Sequence, residues 1–193
     1  MVKKASLKNE LFIVLLLEEE VLEKCQAIQK EIAEHYNIYP EGNYPELHIT
    51  LDRIKKEDLS KARDILQQVA SKFSAVKIEL DSFSCYRQMD SKFLVLKIKQ
   101  NESLIAFANQ LHLELEKEGL STIENYDNWE YHITILSNIF AENPINNLDF
   151  ESLCAFMEGD NYIAQSYSDK VEIWSPVNIP EDKCLYSLKL SDY

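Results

Sequence analysis

Two copies of the tripeptide His-Ile-Thr are the residues of this chain whose types and spacing suit shared chemistry. They occupy residues 48–50 and 132–134. An imidazole has an ordinary pKa of about 6.5, so it can accept or donate a proton near neutral pH. Cleaving a phosphodiester needs one group that takes a proton from the attacking oxygen and another that protonates the leaving oxygen. It also needs donors for the non-bridging oxygens, and two histidines and two threonines supply all of these groups.

The repetition, rather than either tripeptide alone, makes the pattern informative. With four histidines in the chain, and Ser or Thr at about one residue in ten, a single chance His-x-Thr would mean little. Both copies share the central Ile and lie in segments of alternating apolar and polar residues, 46–52 and 130–137. Such alternation is typical of a half-buried strand, so we expect each motif to lie on a strand.

Similar elements precede the two motif strands. Residues 11–17 are an apolar run of strand length and residues 92–99 also read as a strand, while residues 19–36 and 102–118 have apolar side chains at helical spacing. Each copy therefore reads as a strand, a helix and a second strand that carries the motif. The sequence predicts a duplicated unit.

A helix and a strand are also expected after each motif. They are predicted at residues 57–73 and 76–83 in the first copy, and at 149–157 and 170–174 in the second. The repeat units then span roughly residues 11–84 and 92–175, with a closing strand within 184–190. No segment rich in Gly, Pro or Ser separates them, so we expect one domain over residues 1–193.

Alternation in a regular strand gives each side chain near the motifs an expected face. His48, Thr50 and Asp52 would share one face, where Asp52 would either orient a histidine or end the strand in solvent. Trp129 and Tyr131 precede the second motif and are candidates to stack a base. Core packing is the alternative for Tyr131, because alternation turns it away from the histidine. Three cations are either phosphate partners or solvated surface residues: Arg53, Arg87 and Lys92.

Composition and charge narrow the class of protein. With 46% hydrophobic and 27% charged residues, the chain is expected to form an ordered globular fold. The formal net charge of −13 opposes binding to a long nucleic-acid duplex, because such affinity comes from Lys and Arg. Any nucleic-acid substrate should therefore be short or an end. A run of seven apolar residues at 11–17, followed by acidic residues, predicts neither a membrane span nor a signal peptide.

The cysteines and the remaining histidines predict neither a disulfide framework nor a metal site. The four cysteines are scattered without a Cys-x-x-Cys pair, so we expect free thiols and a cytoplasmic location. Outside the motifs no histidine has another ligand at a convincing spacing. His35 and His112 are therefore expected to be structural, and we expect no metal and no other cofactor.

With its two motifs, His48-Ile49-Thr50-Leu51 and His132-Ile133-Thr134-Ile135, the chain resembles the two-histidine phosphoesterase superfamily, in particular its 2',5' RNA ligase and cyclic nucleotide phosphodiesterase families. The resemblance covers most of the chain. It implies an α+β, bilobal fold of two pseudo-symmetric lobes, each with an antiparallel sheet and two helices. It also implies that the motifs face a shared central cleft and act through His48, Thr50, His132 and Thr134.

The resemblance leaves the substrate open. It implies a metal-independent phosphodiesterase acting on a 2',3'-cyclic phosphate of a nucleotide or an RNA end. The alternatives are cleavage or ligation of 2',5' linkages in RNA, and a non-catalytic module that binds nucleotides. We expect a monomer with no membrane partner, His48 and His132 as catalytic residues, and Thr50, Thr134, Trp129 and Tyr131 as substrate-binding residues.

Overall fold

The computed structural model describes residues 6–88, 91–158, 161–177 and 180–190. The ends of the expected domain, residues 1–5 and 191–193, lie outside the described residues. The strands are β1 (Glu10–Leu15), β2 (Ile49–Lys55), β3 (Val76–Gln88), β4 (Ser91–Lys99), β5 (His132–Ser137), β6 (Asn161–Ser168), β7 (Lys170–Trp174) and β8 (Cys184–Lys189). The α-helices are α1 (Glu19–His35), α2 (Leu59–Ala70), α3 (Glu102–Lys117), α4 (Asn147–Met157) and α5 (Pro180–Lys183).

Polar side chains fix where two of the helices begin. The side chain of Asn101 accepts a hydrogen bond from the backbone N–H of Leu104 at the start of α3, and Asn146 caps α4 in the same way through Asp149. Each cap satisfies a backbone donor that has no partner inside the helix. The chain therefore enters both helices at a defined residue, and α3 follows β4 almost directly.

All eight strands form one antiparallel sheet, and the predicted α+β class is confirmed. The strand order is β6-β3-β4-β5-β2-β1-β7-β8. Read outward from the centre, β5-β4-β3-β6 on one side mirrors β2-β1-β7-β8 on the other. The two four-stranded halves meet where Ile49 of β2 pairs with Ile133 of β5.

The halves of the sheet exchange strands relative to the sequence repeat. β3 lies within the first repeat unit, yet it pairs with β4 of the second unit. β7 lies within the second unit, yet it pairs with β1 of the first. Each half of the sheet is therefore built from both units.

A bulge follows each motif at the same place. In the first half Thr50 pairs with Val14 but Asp52 pairs with Ile13, so Leu51 is an extra residue. In the second half Thr134 pairs with Val95 and Leu136 pairs with Leu94, so Ile135 is the corresponding extra residue. These shared bulges are local support for the duplicated pattern.

Four of the helices cover one face of the sheet. α1 packs on β5 and β6, α3 on β2 and β3, α4 on β3, and α2 on α3. Leu51, Ile49, Ile133 and Phe107 are fully buried between these layers. The apolar faces of the helices, which their sequence spacing predicted, are therefore buried against the sheet. The opposite face of the sheet carries the motif side chains. No helix within the described residues is long and apolar enough to cross a membrane.

The expected elements form with shifted boundaries, and two further elements appear. β2 and β5 begin three and two residues later than their predicted strands, and β3 continues to Gln88 instead of ending at 83. β6 and the short α5 were not expected. For β6 the reason is that the segment 161–168 lacks the continuous apolar run that marks a buried strand.

The expectation of four free thiols is wrong for two of the cysteines. Cys85 on β3 and Cys154 on α4 form a disulfide, while Cys25 is buried and free and Cys184 is exposed and free. The two bonded residues are 69 positions apart, and packing of α4 on β3 brings their Cα atoms to 5.9 Å. Sequence spacing alone gave no sign of this pair.

Asp52 lies on the helix-covered face, which corrects its expected place beside His48 and Thr50. Paired residues share a face, and the neighbours Ile13 and Val14 point to opposite faces, so the bulge turns Asp52 away from Thr50. Its fully buried carboxylate accepts hydrogen bonds from His112 Nδ1 on α3 at 2.7 Å and from Ser121 Oγ at 2.7 Å. Asp52 therefore orients a histidine, but one that ties α3 to β2.

We expect Asp52→Ala to lower the free energy of unfolding by about 3 kcal/mol, because it leaves buried polar partners without their acceptor. Urea unfolding followed by circular dichroism would measure the loss. The control Asp64→Ala removes an exposed carboxylate from α2 and should change stability by less than about 0.5 kcal/mol. Equal stability of the two variants would show that the buried link contributes nothing.

Candidate active site

The pairing of Ile49 with Ile133 brings the two motifs together. In an antiparallel pair the residues on either side of a paired position also face each other, so His48 lies opposite Thr134 and Thr50 lies opposite His132. Both isoleucines point into the core, and the four polar side chains therefore share the other face. The two histidines are diagonal neighbours, with Cα atoms about 7 to 8 Å apart by this register.

The two imidazoles are held in the same way. His48 Nδ1 lies 2.9 Å from the carbonyl oxygen of Glu46, and His132 Nδ1 lies 2.9 Å from that of Glu130. A carbonyl oxygen only accepts, so Nδ1 carries the proton in each ring. The Nε2 atoms are then the ones that take up or release a proton.

An aromatic ring and a half-buried cation lie beside His48. Its ring centroid lies 4.8 Å from that of Trp174 on β7, and the Lys183 ammonium lies 4.0 Å from the Trp174 ring and 3.1 Å from a carboxylate oxygen of Glu46. Burial lowers the pKa of His48 to about 4; the Glu46 carbonyl opposes this, and the charges of Lys183 and His132 add to it. His48 is therefore neutral at neutral pH.

The surroundings of His132 have a different charge. Its ring lies edge-on to Tyr86 of β3 at 6.2 Å, and the Tyr86 hydroxyl donates to the Glu130 carboxylate at 2.9 Å. Burial lowers the pKa of His132, while the Glu130 carbonyl and then the Glu130 carboxylate raise it. Where Glu46 contacts a cation, Glu130 thus contacts a phenol.

The aromatic residues beside the histidines occupy equivalent positions. Trp174 pairs with Phe12, and Tyr86 pairs with Phe93, the residue that corresponds to Phe12 in the second half. Trp174 is fixed further by its Nε1, which donates to the buried carboxylate of Glu172 at 2.6 Å. The two halves therefore present the same framework to the cleft with different side chains.

The two candidate base-stacking residues, Trp129 and Tyr131, lie in different surroundings. Trp129 is half-buried beside the first motif, with Nε1 donating to the Thr50 carbonyl at 3.1 Å and its ring 5.6 Å from the Arg53 guanidinium. Tyr131 is buried, and its hydroxyl is 2.9 Å from that of Tyr126. The structure places Tyr131 on the core side, as alternation allowed, so its expected contact with substrate is not supported.

The three cations considered in the sequence are all engaged within the fold. Arg53 is buried and lies 3.6 Å from the Glu10 carboxylate, on the face of the sheet opposite Asp52. Arg87 pairs with Glu151, and Lys92 donates to the Ile145 carbonyl. None of these contacts involves a motif side chain.

Five residues near the histidines were not selected from the sequence. They are Glu46, Tyr86, Glu130, Trp174 and Lys183. The glutamates did carry a signal, since Glu precedes His by two positions in both copies. The other three come from distant segments that only the strand exchange and α5 bring to the motifs, and no local pattern marks them.

Within the described residues, no group of three or more His, Cys, Asp or Glu side chains is arranged to hold a metal ion. The chemistry available to the site from its own residues is proton transfer by the imidazoles and hydrogen bonding by the threonine hydroxyls.

Comparison with known proteins supports the expected resemblance. Residues 18–141 match the family model described as the 2'-5' RNA ligase superfamily. Among solved structures, the chain is similar to TT0787 of Thermus thermophilus, with 16% identity, 94% of this chain and 97% of that chain covered, and a TM-score of 0.67. The comparison with curated proteins gives no significant match.

Two further solved structures share the fold at low identity. Escherichia coli LigT complexed with 3'-AMP is 16% identical, covers 95% of this chain and 99% of its own, and has a TM-score of 0.55. Usb1 of Kluyveromyces marxianus is 11% identical, with 95% and 98% covered and a TM-score of 0.52. These similarities extend over nearly the whole length of each partner.

Proposed function

The chain belongs to the 2'-5' RNA ligase superfamily, and on that premise we propose that it is a metal-independent phosphodiesterase that opens the 2',3'-cyclic phosphate of a nucleotide or of an RNA end. The observation that carries this proposal is the set of four motif side chains on one face of the β2–β5 pair. Two imidazoles with identical tautomers stand there beside two hydroxyls. This is a complete set for acid and base catalysis on one phosphate.

The reaction uses one imidazole on each side of the phosphorus. One Nε2 takes a proton from water as the water oxygen bonds to phosphorus, and the other Nε2 gives a proton to the ribose oxygen as its bond to phosphorus breaks. Thr50 and Thr134 donate hydrogen bonds to the non-bridging oxygens, where negative charge builds up. The products are a phosphomonoester and a free hydroxyl, and proton exchange with solvent resets the two histidines.

The surroundings of the motifs favour a small nucleotide or a short end as substrate. Trp174 and Trp129 are aromatic surfaces beside the first motif, and aromatic rings stack bases without strong sequence preference. The net charge of −13 opposes long nucleic acids. Escherichia coli LigT, which shares the fold, was crystallised with 3'-AMP, the kind of monoester that opening a 2',3'-cyclic phosphate at the 2' oxygen produces.

The second candidate activity is cleavage or ligation of 2',5' phosphodiester linkages. The description of the matching family favours it, and the same four side chains would serve it with a ribose hydroxyl as the attacking or leaving group. A nucleotide-binding module without turnover would need neither an acid nor a base, so two intact motifs favour the enzymes. We propose that the protein acts as a monomer.

A substrate panel tests the proposed activity. We expect the protein to open 2',3'-cyclic nucleotides in the presence of EDTA, because its own side chains supply proton transfer and charge stabilisation. ADP-ribose cyclic phosphate and 2',5'-linked dinucleotides complete the panel, with products identified by mass spectrometry. Turnover of the dinucleotides alone would favour the second candidate. Loss of activity in EDTA, restored by a divalent ion, would contradict metal-independent catalysis.

Substitutions test the roles of the four side chains. His48→Ala and His132→Ala should each lower kcat by about 10²-fold or more, because general acid or base catalysis is worth that much. The double variant should be little worse than either single one, since groups that act as a unit are not additive. Thr50→Val and Thr134→Val should cost less, through one lost hydrogen bond each. A folded His48→Ala variant with the wild-type rate on every substrate would refute the mechanism.

The pH dependence follows from the two histidines. One must be neutral and the other charged, so kcat/KM should be bell-shaped with both limbs set by the pair. Burial brings the pKa of His48 to about 4 and holds the pKa of His132 below its ordinary 6.5. With His48 neutral above its pKa of about 4 and His132 charged only below its own lowered pKa, the maximum should lie on the acidic side of the ordinary histidine pKa. A profile that keeps rising above neutral pH would contradict this pairing.

A further inference from the structure

The two halves of the cleft share a framework, but their charges differ at one position. Each motif glutamate lies two residues before its histidine and has one side-chain partner within hydrogen-bond distance among the described contacts. For Glu46 that partner is the Lys183 ammonium at 3.1 Å, and for Glu130 it is the Tyr86 hydroxyl at 2.9 Å. The carboxylate beside His48 is therefore paired with a cation, while the carboxylate beside His132 is paired with a neutral phenol.

Lys183 is held firmly in this place. It ends α5, its side chain is only 13% exposed, and its ammonium rests on the face of Trp174, whose ring in turn contacts His48. The Trp174 ring is fixed from its other end by Glu172. Burial lowers the pKa of Lys183, while Glu46 and Glu172 raise it, so carboxylates on two elements favour its charged form. A cation therefore stands one aromatic ring away from His48.

We propose, on the basis of the function proposed above, that Lys183 is a positioning residue whose charge disfavours a proton on His48 relative to His132 and so directs His48 to act as the base and His132 as the acid in hydrolysis. Nothing in the motifs themselves distinguishes the two histidines, because their tripeptides, tautomers and backbone acceptors are the same. The distinction comes from α5, outside both motifs.

The charges around the two rings favour opposite protonation states. A proton on His48 would be repelled by Lys183 of α5 and by a charged His132 of β5. The nearby carboxylates already have partners of their own: Glu46 is paired with Lys183, and Glu172 of β7 is bound to Trp174, Ser187 and Lys170. A proton on His132 is supported by Glu130. Lys97 of β4 pairs with His132 in the sheet but is exposed, so solvent screens its charge.

In the step this assigns, His48 Nε2 takes the proton of the attacking water while the new phosphorus–oxygen bond forms. His132 Nε2 gives its proton to the ribose oxygen while the old phosphorus–oxygen bond breaks. The bound phosphate anion stabilises a charged imidazole on either side of it, and Lys183 directs that charge to His132 in the ground state. In the reverse reaction the two roles exchange.

The experiment measures histidine titration and catalysis in the same variants. The pKa values of His48 and His132 are read from NMR spectra of the full chain, and the limbs of kcat/KM from the pH profile with a 2',3'-cyclic nucleotide. Lys183→Met removes the charge at similar length, and Lys183→Arg retains it. Lys24→Met, which removes an exposed charge from α1, is the matched control.

We expect Lys183→Met to raise the pKa of His48 by roughly half a unit or more, about threefold in proton affinity, and to shift the acidic limb upward by the same amount. The basic limb should stay in place. Lys183→Arg and Lys24→Met should leave both limbs where they are in the parent protein. Glu130→Gln should instead move the basic limb downward, and it tests the assignment from the other half if Lys183→Met does not fold.

Other outcomes overturn the inference or its premise separately. An unchanged pKa of His48 in Lys183→Met, or a basic limb that moves in place of the acidic one, would refute the role of Lys183. A raised pKa of His48 in a protein that turns over none of the phosphodiesters would support the electrostatic effect of Lys183 and refute the proposed function.

Discussion

The geometry of the cleft depends on one backbone pairing, Ile49 with Ile133, between the two halves of the sheet. This pairing sets which histidine lies opposite which threonine, and a slip of one residue would turn the histidine and the threonine of the slipped strand into the core. Outside this pair, the facing edges of β2 and β5 are covered by the segments that precede the motifs. Tyr126 and Trp129 bond to carbonyls of β2, and Tyr39 bonds to Ser137 of β5. The loops that lead into each motif therefore hold the register of the other.

The bulges explain why catalysis and stability use neighbouring residues without conflict. At Leu51 the strand changes which face its side chains occupy, so Thr50 points to the cleft and Asp52 to the helices. The buried Asp52–His112 pair can then stabilise the packing of α3 without disturbing the charges of the cleft. The same bulge at Ile135 leaves the apolar Leu136 at the position equivalent to Asp52. Only the first half needs a polar link at this point.

Much of the fold could be predicted from sequence because helix and strand periodicity repeats in both units. The motif residues could be selected for the same reason, as each copy supports the other. Asp52 was misplaced because an extra residue in a strand leaves no trace in an alternating pattern. Trp174 and Lys183 could not be selected from the sequence, because their place beside His48 results from long-range pairing and from a four-residue helix. Charge differences between the halves are thus invisible until the sheet is assembled.

The exchange of strands also governs when the site can form during synthesis. β1 and β2 leave the ribosome early, but β7, the outer neighbour of β1, follows more than a hundred residues later. Until then β1 has an unpaired edge, and His48 has neither the ring of Trp174 nor the charge of Lys183 beside it. Meanwhile β3 and β4 are adjacent in the chain and can pair at once. The half that carries His132 therefore has all four of its strands once β6 is made, before β7 and β8 complete the half that carries His48.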